Sequence, residues 1–357
     1  MKPLYILSSC CISPQRTFEG FDGMATSLEY HDNVLHCVEP DFSAYINPVQ
    51  IRRMSRALKI GYTAAIESLK RSGLESVDAI MIGTGKGCMS DTEKFLHSIK
   101  EYNETALNAT HFIHSTYNQL NGMIALNKKI SSYNMTYVHR AFSFEHTLID
   151  AQLLFAEDEA QHVLVGSFDE MTQEHFTVKK HWEYWKKDKI CNLDLLHSKT
   201  VGTIAGEGSS FYVLGHEKPE GRCVAVKHVA TLFKPNSTDI KAAVHRLLDD
   251  QGLDANDIDI LICGENGNYE RRSFYHFMRG VFSSAIDLYY KHLCGEYDTA
   301  VNFGFWLGSQ ILKEQRIPQN MEMNSNVWSV RNPLRHVLLY NNYFELNHSL
   351  ILLSLED

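Results

Sequence analysis

Three kinds of side chain in this sequence could do chemistry, and their spacing decides which of it is available. Eight cysteines could serve as thiolate nucleophiles or metal ligands, but only Cys10 and Cys11 lie close together and no Cys-x-x-Cys pair occurs. That pattern points to reduced, mostly buried thiols rather than to a zinc or redox motif. Eighteen histidines are dispersed without a His-x-x-x-His or His-Glu-x-x-His arrangement, so no metal and no cofactor is indicated. Gly83-Thr84-Gly85-Lys86-Gly87 looks like a phosphate loop but lacks the Gly-x-x-x-x-Gly-Lys-Ser/Thr spacing, and it reads as a tight turn. Arg52, Arg53 and Arg56 form a basic cluster on a chain of net charge −9. Such a cluster suits an acidic partner or simply a solvated helix face. The overall charge argues against a general nucleic-acid binder.

The elements that must position these residues repeat. A helix through Ala64–Leu69 stops at Gly73 and leads into Val77–Gly83; a second through Ala242–Leu248 stops at Gly252 and leads into Ile258–Gly264. Each unit is an apolar-striped helix, a glycine stop and a β-branched strand, preceded by another strand at Leu4–Leu7 or Val224–Val229. Further strands are expected at Asn134–His139, His162–Ser167 and Ser210–Leu214, with a helix over Phe144–Glu157. Helices alternating with strands apolar on both faces imply an α/β fold. A polar turn at Gly215–Gly221 divides the chain into halves, residues 1–217 and 218–357. The segment Thr172–Thr200 reads as an irregular excursion or helical flap. No apolar run approaches the roughly 20 residues that span a bilayer, and the opening residues show no secretory signal, so a cytoplasmic protein is expected.

Several motifs, in order along the whole chain, resemble elongating β-ketoacyl synthases. They are Ile6–Pro14 with its Ser-Pro turn, Gln50–Arg56 with its Arg-Arg-x-x-Arg start of a helix, the Gly83–Gly87 turn, Phe112-Ile113-His114-Ser115-Thr116-Tyr117-Asn118, and the Gly206-Glu207-Gly208 turn entering a strand. The resemblance implies the thiolase fold, a five-layer αβαβα sandwich of two pseudo-duplicated halves. It is closest to the ketosynthase-like and chain-length-factor proteins of aryl polyene and flexirubin pigment clusters.

Condensation by that family needs a thiolate at a helix N-terminus, whose free N–H groups lower its pKa and build an oxyanion hole, and two histidines that stabilise an enolate. By the resemblance, the nucleophile motif falls on Arg140-Ala141-Phe142-Ser143, which places Phe142 where the cysteine would be. Gly264-Glu265-Asn266-Gly267-Asn268 stands in place of His-Gly-Thr-Gly-Thr. Lys291 to Glu296 stands in place of Lys-Ser-x-x-Gly-His, with Glu296 at the histidine. His292 is out of register. A carboxylate there repels an enolate. Ser143 reads as an N-cap. The gating loop Asn342–Asn347 has lost its glycines and, with them, the expected freedom to adopt φ > 0.

The reading is a non-catalytic subunit that pairs with an active ketosynthase as a heterodimer, or with itself as a homodimer. The Thr116, Tyr117, Asn118 segment would sit at the dimer interface, with Tyr117 either gating chain length or packing as an ordinary interface aromatic. Arg52, Arg53 and Arg56 would meet an acyl carrier protein. The alternative is an acyltransferase using Cys263, Cys294 or Ser143.

Overall fold

The computed structural model describes residues 2–318, 321 and 333–357. Ten strands are present among them: β1 (Leu4–Ile12), β2 (Ala79–Gly83), β3 (Tyr133–Tyr137), β4 (His162–Asp169), β5 (Gly208–Gly215), β6 (Cys223–Phe233), β7 (Ile260–Cys263), β8 (Ile286–Tyr289), β9 (His336–Tyr343) and β10 (Asn347–Glu356). They pair in the order β3-β2-β4-β5-β1-β6-β10-β9-β7-β8. Read from either end, that order is the same pattern. β2 runs parallel to β3 and β4, and β5 runs antiparallel to β4 and β1. β7, β8, β9, β10 and β6 repeat that scheme. The two five-stranded leaves are not wholly separate sheets. Leu4–Ile6 of β1 pair with Val224–Val226 of β6, which joins them at the centre.

The pleat of each strand explains the layers, because successive side chains point to opposite faces. In β2, Ala79 and Met81 face a core that also holds Phe144 and Leu148 of the Ser143–Ala156 helix and Trp306 and Ile311 of the Val301–Glu314 helix. Ile260 and Ile262 of β7 reach the same core from the other leaf. The alternate residues Ile80 and Ile82 pack outward on Ile60 and Ala64 of the Arg56–Ser72 helix. Leu261 and Cys263 pack outward on Val244 and Leu247 of the Ser237–Gln251 helix. Helix, leaf, central helices, leaf and helix make the five layers. The outer helices end at Gly73 and Gly252, both left-handed, as their sequence positions require. Within Thr172–Thr200 the chain forms a helix at Gln173–His181 and a 3₁₀ segment at Asn192–His197. No helix among the described residues is long and apolar enough to cross a membrane.

Candidate functional site

The site lies where the two central helices begin. After β3 the chain passes His139, takes a left-handed turn at Arg140 (φ 56°) and enters the Ser143–Ala156 helix with Phe142 in the N-cap position. The Phe142 ring is buried, stacked on His139 at 5.2 Å and tilted against His146 at 5.9 Å. Ser143 is not the helix cap expected from the sequence. Its hydroxyl accepts the His139 N–H and donates to the Thr84 carbonyl, both at 2.8 Å, which ties the helix start to the turn after β2. Cys263 and Cys294 are fully buried, and burial pushes both thiols well above the ordinary range. None of the three alternative nucleophiles is therefore presented as a thiolate or an activated hydroxyl.

In the second half the structure brings Lys291 and Glu296 together. Lys291 Nζ donates to both Glu296 oxygens, at 2.9 and 2.8 Å, with both side chains almost wholly buried. Asn266 adds a hydrogen bond to Glu296 at 2.7 Å. The Tyr275 hydroxyl donates to the Gly264 carbonyl at 2.8 Å, which fixes that turn. Glu265, expected beside Lys291, is instead drawn away. It pairs with Arg272 at 2.9 Å, at the N-cap of the Ser273–Val281 helix, and with Arg279 in the last turn of that helix, and the two arginines neutralise it.

Part of the polar centre was invisible to motif reading. Lys86, taken only as a turn residue, donates to Asp298 at 2.8 Å. The buried Lys179 lies 3.7 Å from the same carboxylate and over the ring of Tyr184. Burial works against a charge on Asp298, but Lys179, Lys86 and the Tyr343 hydroxyl at 2.7 Å together hold its carboxyl below the usual range. Neighbouring Asp169 accepts from Thr84, Gly85 and Thr299, yet burial and the Asp298 charge raise it to about 6. Tyr343, in the loop that the sequence resemblance matched to the family's gating loop, is thus tied to a buried ion pair. The expectation that the loop loses φ > 0 is corrected: Phe344 (φ 58°) and Glu345 (φ 57°) adopt that conformation without glycine. Phe344 packs on Tyr184 and under Arg271, which hold the strained turn in place. What remains open beside Glu296 and Tyr343 is a cavity of about 80 Å³, below the roughly 300–1,000 Å³ of ordinary ligand pockets.

One turn beyond Phe142, Glu145 is fully buried, and burial raises its pKa from 4.5 to about 7 despite Ser349 and Lys291. The protonated form is thus favoured in the folded state. Its cost is absent below pH 4.5, grows as pH rises through 7, and approaches about 3 kcal/mol above that by linkage. Glu145→Gln should raise stability at pH 8 by about 2–3 kcal/mol while changing it little at pH 4. Denaturant melts of both proteins at the two pH values measure this, and equal shifts at both would contradict it.

On the outer surface, Arg52 and Arg53 are exposed at the end of the Pro48–Arg53 helix. Arg56 is not available to a carrier protein. It is paired with Glu39 and with the buried Glu207, whose other oxygen accepts the Met171 N–H. Thr116 and Asn118 are surface residues, and Tyr117 is half exposed beside Gly87. Phe112 and Ile113 of the Ala109–His114 helix are exposed as well, as are Met135 of β3, an edge strand, and Val138 just beyond it.

The fold is the thiolase fold of ketosynthase structures. Residues 33–191 match the family described as β-ketoacyl synthase, N-terminal domain. The chain is similar over 99% of its length to the ishigamide ketosynthase/chain length factor (TM-score 0.81, 15% identity, 99% of that chain). It is also similar over its full length to a β-ketoacyl synthase from Burkholderia phymatum STM815 (TM-score 0.77, 11% identity, all of that chain). A third likeness, over 99% of its length, is to the ketosynthase ApeO in complex with its chain length factor ApeC from Xenorhabdus doucetiae (TM-score 0.73, 15% identity, 98% of that chain). No curated protein sequence matches the chain.

Proposed function

We propose that this chain is a non-catalytic, chain-length-factor-like subunit that pairs with an active β-ketoacyl synthase in cytoplasmic acyl-chain or polyketide assembly of the aryl polyene type. The buried Phe142 ring at the helix N-terminus carries the reading, since a phenyl group can neither be acylated nor leave room for a thioester. Glu296, held by Lys291 and Asn266, stands where an enolate would need a histidine. In this reading residues 1–217 and 218–357 are the two family halves. The partner covers the β3 edge and the Phe112–Tyr117 surface, because an unpaired edge with exposed aromatics invites strand addition. Arg52 and Arg53 then face an acidic acyl carrier protein. Kinship in fold with structures of ketosynthases paired with chain length factors supports the pairing.

The test is co-expression with active β-ketoacyl synthases from the same genome, followed by mass spectrometry of carrier-bound products. The pair should co-purify, and Tyr117→Ala should shift products to longer chains by at least one extension unit. A chain that purifies only as a self-dimer and leaves product length unchanged would defeat the proposal.

A further inference from the structure

A cluster of donor atoms lies away from the ketosynthase-like centre, at the foot of the flap. Cys191 Sγ, a ring nitrogen of His31 and a carboxylate oxygen of Glu29 all fall within 4.8 Å of one another. His31 Nε2 is 2.9 Å from Glu29 Oε1, and the Cys191 thiol donates to that same oxygen at 3.6 Å. Zinc bonded at about 2.0–2.3 Å to nitrogen, oxygen and sulfur in a tetrahedron spaces its ligands roughly 3.3–3.7 Å apart. Two of the three separations, 2.9 and 3.6 Å, therefore already stand near those a metal would impose, and the third lies within 4.8 Å.

The backbone beneath them is held from both sides. Glu29 and His31 flank Tyr30 in a segment that is neither helix nor strand, and the 2.9 Å contact between them brings both side chains to the same side. The Tyr30 N–H donates to Asn192 Oδ1 at 2.7 Å, and the Asn192 N–H returns a bond to the Tyr30 carbonyl at 3.0 Å. Asn192, buried and next to Cys191, also donates to the carbonyls of Leu28 at 3.3 Å and His292 at 2.8 Å. That reciprocal hook fixes the two ligand-bearing segments against each other before any metal arrives. Cys191 is also the one cysteine of the eight that is not buried, so an ion and solvent can reach it.

We propose that Glu29, His31 and Cys191 form a zinc-type metal site, with a fourth position open to water, that clasps residues 29–31 to the flap. Two anionic ligands, the carboxylate and the thiolate, balance the divalent charge. Binding releases the thiol proton to solvent and involves no redox change. The site escaped reading by spacing because its third ligand is 160 residues beyond its second.

Cobalt(II) tests it, since a cobalt–thiolate bond gives a charge-transfer absorption that carboxylate and imidazole do not. Titrated into the reduced, metal-free full chain, one equivalent of Co²⁺ should produce that band, and Zn²⁺ should abolish it. C191A should lose the band, and H31A should weaken affinity at least tenfold. Zinc should slow alkylation of Cys191 by iodoacetamide at least tenfold. No band in the unaltered chain, a band that survives C191A, or affinity unchanged in H31A would overturn the proposal. All three positions are at or near the surface, so the variants should fold.

Discussion

Lys291→Met should destabilise the protein by about 3–5 kcal/mol, the typical cost of stranding one member of a buried ion pair. Lys291 and Glu296 are only 1% and 3% exposed, and Lys291 supplies two of the hydrogen bonds to that carboxylate. Without it, Glu296 keeps only Asn266 as a side-chain donor among the described residues, too little for a desolvated charge. The double variant Lys291→Met, Glu296→Gln removes both charges and retains an acceptor for Asn266. It should recover most of the loss, since a buried pair contributes far less than the penalty for breaking it. Thermal and denaturant melts of the two single variants and the double decide the matter. Additive losses would mean that the two side chains act independently.

Among the described glycines, Gly206→Ala should be the most damaging added methyl, costing about 3 kcal/mol or more, at the upper end of overpacking effects. A Cβ at this position would lie 1.9 Å from the Cys294 carbonyl oxygen, and one at Gly295 would lie 2.4 Å from the Ala205 carbonyl oxygen. Both obstructions are backbone, which cannot swing aside like a side chain. The approach is enforced by paired hydrogen bonds, Gly206 N–H to the Glu296 carbonyl at 3.1 Å and Glu296 N–H to the Ile204 carbonyl at 2.9 Å. These bonds stitch the first half to the second directly behind the Lys291–Glu296 pair. The expected outcome is loss of soluble protein or a melting temperature lower by many degrees. Wild-type stability would show that the two segments can separate freely. Gly221→Ala is the contrasting control: no atom would meet its Cβ, so any loss there reflects its φ of +80° alone.

The repeated helix, glycine stop and strand made the fold legible, because periodicity and left-handed caps are local properties. The Gly206-Glu207-Gly208 turn was legible only through its resemblance to the family's motif; the crossing with Cys294 and Gly295 that requires glycine there is made by the fold. Lys86, Lys179 and Asp298 were not legible, since an ion pair spanning 212 positions is created by the layers and leaves no spacing signal. Arg56 read as a surface cation because helical position does not reveal that Glu207 is buried across from it. The gating loop misled for a different reason. Loss of glycine makes φ > 0 costly, but packing of Phe344 on Tyr184 and Arg271 offsets the cost. Ser143 was assigned the commonest role of a serine at a helix start, whereas the turn after β2 claims its hydroxyl.

Intact-mass spectrometry tests the central claim most directly. The chain is mixed with an active ketosynthase, and acyl- and malonyl-loaded carrier protein are added. The mass of each subunit is then read after the carrier is removed. The acyl increment should appear on the ketosynthase alone, and this chain should keep its unmodified mass, while Phe142→Cys should not restore condensation because the histidines that stabilise the enolate are still missing. An acyl increment on the unaltered chain would mean that it carries a nucleophile of its own, and the non-catalytic reading would be wrong.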